Sequence, residues 1–362
     1  MTFGWVCIAA VLVLGAGGGL GQARAEEPAQ DTSSEMPRDA PEPEPAVKAD
    51  LLARCWTPEA LAGSDTELKA KRSRSGFDLE VLKQEPLADA APVAAELRGS
   101  IRSVTLPPDQ KLIALTFDLC ESNGDQAGYD GRIVDLLRAE GVKATFFAGG
   151  KWLETHPERA QQLIADPNFE IGAHGLRHRD LTHASDTSMA EEIRLTEAAY
   201  ARARKALQAR DCAASPDAAA SVPQERITLM RFPYGRCNAT SLAAVAEAGQ
   251  LAIQWDVVTG DPGPHVSAKT MANTILTRAH PGAIVVAHAN GRGRNTAAAL
   301  ALALPKLREQ GYSFVTVSEL LAAGTPVIAA KCYLNRPGDA PRVARAKRRK
   351  KTNDIWSIPR SR

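Results

Sequence analysis

The sequence predicts an α/β fold, a distorted or incomplete (β/α) barrel, and three observations carry that prediction. Apolar segments alternate with amphipathic segments of helical period from residue 111 to residue 317, the rhythm of a parallel sheet covered by helices. The apolar run Leu112-Ile-Ala-Leu-Thr-Phe117 stops at Asp118, as a buried strand would, and so puts a carboxylate at a strand end. His174, Arg231, Asp256 and His288 also close or follow such runs, which collects polar groups at the strand ends where barrels carry out chemistry.

The elements follow in order. A strand is expected over 111–117, a helix over 130–140 and a strand over 143–148, where Thr145-Phe-Phe-Ala is β-branched and aromatic and Gly141 stops the preceding helix. A helix from Pro157 to Ala165, a short strand from Phe169 to Ala173 and a long helix over 187–209 come next. An Ala- and Pro-bearing surface insertion occupies 210–228. The pattern then resumes with helix 240–248, strand 251–256, helix 267–279, strand 283–287, helix 296–309 and strand 313–317.

The flanks differ in kind from this centre. Residues 1–25 contain an apolar segment, Val6 to Leu14, and end in Ala23-Arg-Ala25, the pattern of a cleaved secretory signal; the run is short for a membrane-spanning anchor. Residues 26–50 are acidic and Pro-rich, with too little apolar surface to offset their ordering entropy, and read as a linker. Residues 51–108 form an N-terminal extension whose apolar patches, around Leu51 to Trp56 and Phe77 to Leu82, dock partly on the barrel. The catalytic domain is expected over 109–325 and a basic C-terminal tail over 326–362.

Charge narrows the partners. With 44 Lys and Arg against 42 Asp and Glu, the 362-residue chain gives no basis for general polyanion binding. The tail is the exception, and it is suited to screened contact with anionic membrane or cell-wall polymer rather than to nucleic acid. Export across the inner membrane of a bacterium implies a periplasmic or secreted protein.

Such a compartment favours disulfides, and five cysteines remain beyond the signal: Cys55, Cys120, Cys212, Cys237 and Cys332. An odd count leaves one thiol over. Cys212 with Cys237 is the preferred bond, tying the insertion to the loop after Tyr234, and Cys55 with Cys332 the second. Cys120, two residues from Asp118, reads as a small buried hydrophobe.

His174 and His178 stand four residues apart, a spacing that lets imidazoles on a helical turn converge on one metal ion, usually zinc. The pair alone does not specify a site, but it has company. Upstream lies Leu115-Thr-Phe-Asp118-Leu-Cys-Glu121; downstream lie Arg231-Phe-Pro-Tyr-Gly235, Trp255-Asp256 leading to Gly260-Asp261, and Ile284-Val-Val-Ala-His288. In this order the motifs resemble those of the polysaccharide deacetylases, carbohydrate esterase family 4, over about residues 110–325.

The resemblance implies a barrel of the polysaccharide deacetylase type. It also implies a metal-dependent hydrolase removing N-acetyl or O-acetyl groups from an extracytoplasmic polysaccharide substrate such as peptidoglycan or a GlcNAc polymer. On that pattern Asp118 is the catalytic base, Arg231 holds it ionised and aimed, and Tyr234 offers a backbone N–H to the oxyanion. His288 protonates the departing amine and Asp261 supports it, with Asp256 as the alternative. His174 and His178 hold a divalent metal, Zn2+ by preference.

Three positions depart from the family pattern. Leu119 replaces the second Asp, which is the third metal ligand; Pro262 replaces the Trp of the Asp-Trp motif; Phe232 stands where the family has Pro. The missing ligand is expected from the same loop, with Glu121 as the choice and Cys120 or Asp125 as alternatives, or from Asp118 itself. Trp255 lines the cleft or fills the core, and His156, His183, His265 and His280 are expected in surface or loop positions, His183 being a distant ligand candidate. Two other functions fit the same residues: a catalytically impaired glycan-binding protein on this fold, and a metal-free hydrolase of a small amide.

Overall fold

The computed structural model describes residues 51–72, 77–215, 222 and 225–335. The expected signal and linker, part of the insertion and the tail beyond residue 335 lie outside the described residues. From the N-terminal side come α1 (Leu51–Cys55), α2 (Pro58–Leu61), β1 (Lys71–Arg72), α3 (Leu79–Gln84), β2 (Ser100–Thr105) and β3 (Leu112–Leu119). Next are β4 (Asp125–Gln126), α4 (Gly131–Ala139), β5 (Ala144–Ala148), α5 (Gly150–Thr155), α6 (Pro157–Ala165), β6 (Phe169–Ala173), α7 (Asp186–Gln208) and β7 (Leu229–Met230). The remainder is α8 (Ala239–Glu247), β8 (Leu251–Ile253), β9 (Val257–Val258), α9 (Ala268–Arg278), β10 (Ile284–His288), α10 (Thr296–Glu309), β11 (Ser313–Val315), α11 (Val317–Ala322) and β12 (Thr325–Ala329).

The main sheet runs β12-β2-β8-β7-β6-β5-β3-β10-β9, with β11 also on β3. Its neighbours pair in parallel except β12, which lies antiparallel to β2. An isolated bridge between Ser103 of β2 and Ala283, just before β10, turns the sheet back towards itself. The result is the curled, incompletely closed barrel that the strand–helix rhythm implies. The small β1–β4 ribbon stands apart from it.

Side-chain alternation along the strands separates two apolar layers. On β3, Ile113, Leu115, Phe117 and Leu119 join the core under the helices, whereas Ala114 joins the cluster inside the barrel. On β10, Val285 and Ala287 face the helices while Ile284 and Val286 face inward. β5 divides likewise: Phe146 packs outward, its ring centroid 5.3 Å from that of Phe117, and Phe147 packs inward. Gly172 on the neighbouring β6 makes room for Phe147, since a Cβ there would stand 2.6 Å from the ring.

Local signals set the helix ends. The Ser185 side chain accepts from the Ser188 N–H to start α7, and capping boxes at Asn238 and Thr316 start α8 and α11.

The sheet runs past both ends of the 109–325 segment. β2 and β12, at 100–105 and 325–329, belong to it although neither carries a strong apolar pattern, because pairing at the sheet edge holds them. The expected strand 251–256 stops at Ile253, and the next N–H, of Gln254, donates across to the Ile101 carbonyl. α5 has no counterpart in the sequence-based expectation. Leu51, Leu52 and Trp56 of the N-terminal extension are buried in the main core.

Both preferred disulfides are replaced by the other pairing, Cys55–Cys212 and Cys237–Cys332. The reason lies in the packing. α1 sits against the short turn holding Cys212, and the segment after β12 returns beside the loop that follows Tyr234.

Candidate active site

Register places the first two groups. Asp118 at the end of β3 is the parallel-sheet partner of His288 at the end of β10, and both continue the inward-facing series of their strands. The same alternation sends Leu119 to the helix layer and brings Cys120, just beyond the strand, back to the inner side.

Asp118 is 4% exposed and held by charge. The guanidinium of Arg231, fully buried, donates from Nη1 to Asp118 Oδ1 at 2.9 Å and to Thr116 Oγ1 at 2.7 Å. Its Nη2 donates to the Gln254 carbonyl at 3.1 Å, and its plane lies over the Phe147 ring at 4.0 Å. Three elements thus fix one side chain, which in turn fixes the carboxylate.

His174 follows β6. Its Nδ1 lies 2.9 Å from the Arg231 carbonyl, an oxygen that can only accept, so Nδ1 carries a proton and Nε2 is the ring atom turned to the cleft. That Nε2 is buried, has no hydrogen-bond partner, and stands 3.7 Å from Asp118 Oδ2. The histidine pair does not lie on a helical turn. It spans a loop in which Gly175 (φ 72°) and His178 (φ 52°) are left-handed, and this brings the two rings to a centroid distance of 5.0 Å. Tyr234, also left-handed at φ 61°, sets its ring 4.4 Å from that of His178.

Across the cleft, Asp261 accepts from the His288 backbone N–H at 2.6 Å, pairs with its Nδ1 at 2.9 Å, and accepts from Thr296 Oγ1 at 3.0 Å. Burial opposes charge on His288, but the Asp261 carboxylate, together with the Cys120 sulfur, outweighs it and holds the imidazolium well above the ordinary histidine range. Asp256 pairs instead with His280 at 2.5 Å and so does not serve His288.

Cys120 is 4% exposed and forms no disulfide. One ligand atom each of Cys120, His174 and His178 lie within 4.8 Å of one another, and Cys120 forms a second such group with Asp118 and His288. Burial would raise its thiol, yet the imidazoles of His178 and His174 hold it well below the usual thiol range.

Glu121, expected among the metal ligands, is turned away from them. Its carboxylate, itself fully buried, accepts from Ala127 N and Thr155 Oγ1, both at 2.9 Å, and faces Lys151 Nζ at 3.3 Å. Residue 121 shares its side of the chain with Leu119, which is why the two point away from the cleft together. Asp125 is paired with Arg292 at 2.9 Å. His183 is exposed beside Asp180, whereas His156, expected at the surface, is mostly buried and stacked on Trp152.

A cavity of about 370 Å³ joins these groups; Asp118, His174, His178, Tyr234, Asp261 and His288 all line it. Its apolar wall is Trp255, Val258, Pro262, Val286 and Leu334, so Trp255 is both buried and cleft-lining. Leu334 is delivered by the segment that Cys332 ties to Cys237, and its carbonyl accepts from Trp255 Nε1 at 3.0 Å. A larger groove of about 650 Å³ between α7, α8 and residues 87–90 is lined by no histidine or cysteine.

The donor set of two imidazoles and a thiol suits a divalent ion, and His174 Nε2 is a buried ring nitrogen without a hydrogen bond, of the kind such an ion satisfies.

Comparison with known proteins agrees with the motif order. Residues 105–253 match the model of the family described as polysaccharide deacetylase. The chain is 31% identical over 219 residues to a peptidoglycan-N-acetylglucosamine deacetylase of Bacillus cereus, covering 60% of this chain and 91% of the relative. It is 27% identical over 215 residues to the peptidoglycan-N-acetylmuramic acid deacetylase PdaA of Bacillus subtilis, covering 59% of this chain and 72% of that protein. Among solved structures, the Bc1960 peptidoglycan N-acetylglucosamine deacetylase superposes with a TM-score of 0.51 at 25% identity, over 62% of this chain and 94% of the other.

Proposed function

Because this chain belongs to the polysaccharide deacetylase family and is a hydrolase of that kind, we propose that it removes acetyl groups, N-acetyl first, from an extracytoplasmic polysaccharide with the help of a divalent metal. Peptidoglycan is the substrate the named activities of the relatives favour. The two disulfides support an oxidising, extracytoplasmic setting. The observation that carries the reading is that Asp118, backed by Arg231, and His288, backed by Asp261, stand side by side on neighbouring strands and line one cavity with His174.

His174 and His178 would hold the metal in this reading. The chemistry such an ion supplies is polarisation of the acetyl carbonyl and acidification of the attacking water. Asp118 accepts a proton from the attacking water as its oxygen bonds to the acetyl carbon, and Arg231 keeps the carboxylate oriented. The Tyr234 backbone N–H donates to the carbonyl oxygen as negative charge develops on it. His288, with Nδ1–H on Asp261, gives its Nε2 proton to the sugar nitrogen as the carbon–nitrogen bond breaks, releasing acetate and a free amine. The apolar wall of Trp255, Val258 and Leu334 accommodates the acetyl methyl.

The test is acetate and amine release from N-acetylated peptidoglycan and from GlcNAc oligomers by zinc-loaded protein. Matched release that stops on chelation and returns with zinc supports the reading. Glycan binding without release, or release that survives chelation, overturns it.

A further inference from the structure

We propose that Cys120 is the third protein ligand of the metal, as a thiolate, making the centre a two-histidine, one-cysteine site; this rests on the metal-dependent reading above. The family pattern supplies a carboxylate at position 119, and here Leu119 is fully buried in the helix-side core. In this chain Leu119 packs in the helix-side core, and the side chain that reaches the cleft beside Asp118 is that of the next residue. Cys120 is that residue, and its sulfur lies within 4.8 Å of ligand atoms of both His174 and His178.

An independent observation points to the same ion. His174 Nε2 is buried and makes no hydrogen bond, with only Asp118 Oδ2 at 3.7 Å beside it, while the other ring nitrogen is committed to the Arg231 carbonyl, so Nε2 is the atom left to meet an ion. The competing donors are otherwise engaged: Glu121 by Lys151 and Thr155, Asp125 by Arg292 and Ser122, Asp118 by Arg231. Among the described residues Cys120 is the one cysteine outside a disulfide, in a chain whose other four described cysteines are oxidised. A thiolate also replaces the missing carboxylate charge for charge.

The consequence is selectivity. A sulfur donor favours zinc and cobalt(II) over the hard ions magnesium, calcium and manganese, which want oxygen. Bound metal deprotonates the thiol outright, so the site needs no other base to form.

The experiment is to load full-length protein with one equivalent of cobalt(II), record its near-ultraviolet absorption, and measure zinc content and affinity for wild type, Cys120→Ser and Cys120→Asp. The expected result is a thiolate-to-cobalt charge-transfer band in wild type that both variants lose. Zinc affinity should fall at least about 10- to 100-fold in Cys120→Ser, the scale already seen for lost supporting partners of a ligand. Cys120→Asp, which restores an anionic donor, should recover metal binding and shift preference toward manganese, showing that the barrel still folds. Stoichiometric cobalt without the band, or Cys120→Ser with wild-type zinc affinity, overturns the cysteine ligand while leaving a metal-dependent deacetylase intact. Wild-type protein that binds neither ion overturns the metal reading itself.

Discussion

Asp261 grips His288 at two atoms, with one carboxylate oxygen 2.6 Å from the backbone N–H and the other 2.9 Å from Nδ1. The contact sets the tautomer, the ring orientation and the charge of the histidine together. It holds the proton on the imidazole against the opposing effect of burial. A histidine that must be protonated when the amine leaves loses activity as pH rises through its pKa, so a raised value extends activity toward alkaline pH. Asp261→Asn removes the larger raising influence and leaves burial opposed by Cys120 alone. The alkaline limb of the kcat–pH profile should therefore move to lower pH, with kcat near neutrality down on the order of 10²-fold.

Asp118→Asn keeps the shape of the base and removes its charge. With Asp118 held by Arg231 rather than by the ion, kcat should fall on the order of 10²- to 10⁴-fold while zinc content stays at the wild-type level. Metal analysis beside the assay checks this; zinc lost together with activity would make Asp118 a ligand instead of the base.

Glu121→Gln separates support from coordination. The buried pairing of Glu121 with Lys151 fastens the loop after β3 to α5, and removing one partner's charge should lower unfolding stability by on the order of 3 kcal/mol. Zinc affinity of the folded protein should stay unchanged, which denaturant titration and metal competition measure together.

The Cys237–Cys332 bond ties the segment carrying Leu334 to the loop after Tyr234. Replacing both cysteines by serine should cost about 2–4 kcal/mol of stability. It should also raise KM more than it lowers kcat, because the wall of the cavity loosens while Asp118 and His288 stay on their strands. Thermal melting and steady-state kinetics read the two effects.

The centre of this fold was legible because apolar strands and capped helices each carry a local signal. The helices at 157–165 and 296–309 and the strand at 169–173 fall where periodicity puts them. β2 and β12 were not legible, because what holds them is pairing and not pattern. The ordered motifs named Asp118, His174, His178, Arg231, Tyr234, Asp261 and His288, and the fold brings all seven to one place. Glu121, Cys120 and Asp125 share one loop, and nothing in their order along the chain separates them; the fold does, by setting Cys120 beside His174 and His178 and turning Glu121 to Ala127 and Thr155. The disulfides stayed hidden because their pairing depends on where α1 and the segment after β12 return in space.

The most direct test of the whole account is a crystal structure of the zinc-loaded protein with anomalous data at the zinc edge. The account predicts one peak in the cavity, in bonding contact with His174 Nε2, His178 and Cys120 Sγ, and facing Asp118 and His288. A peak elsewhere, or a zinc-replete protein whose cavity holds none, would contradict it.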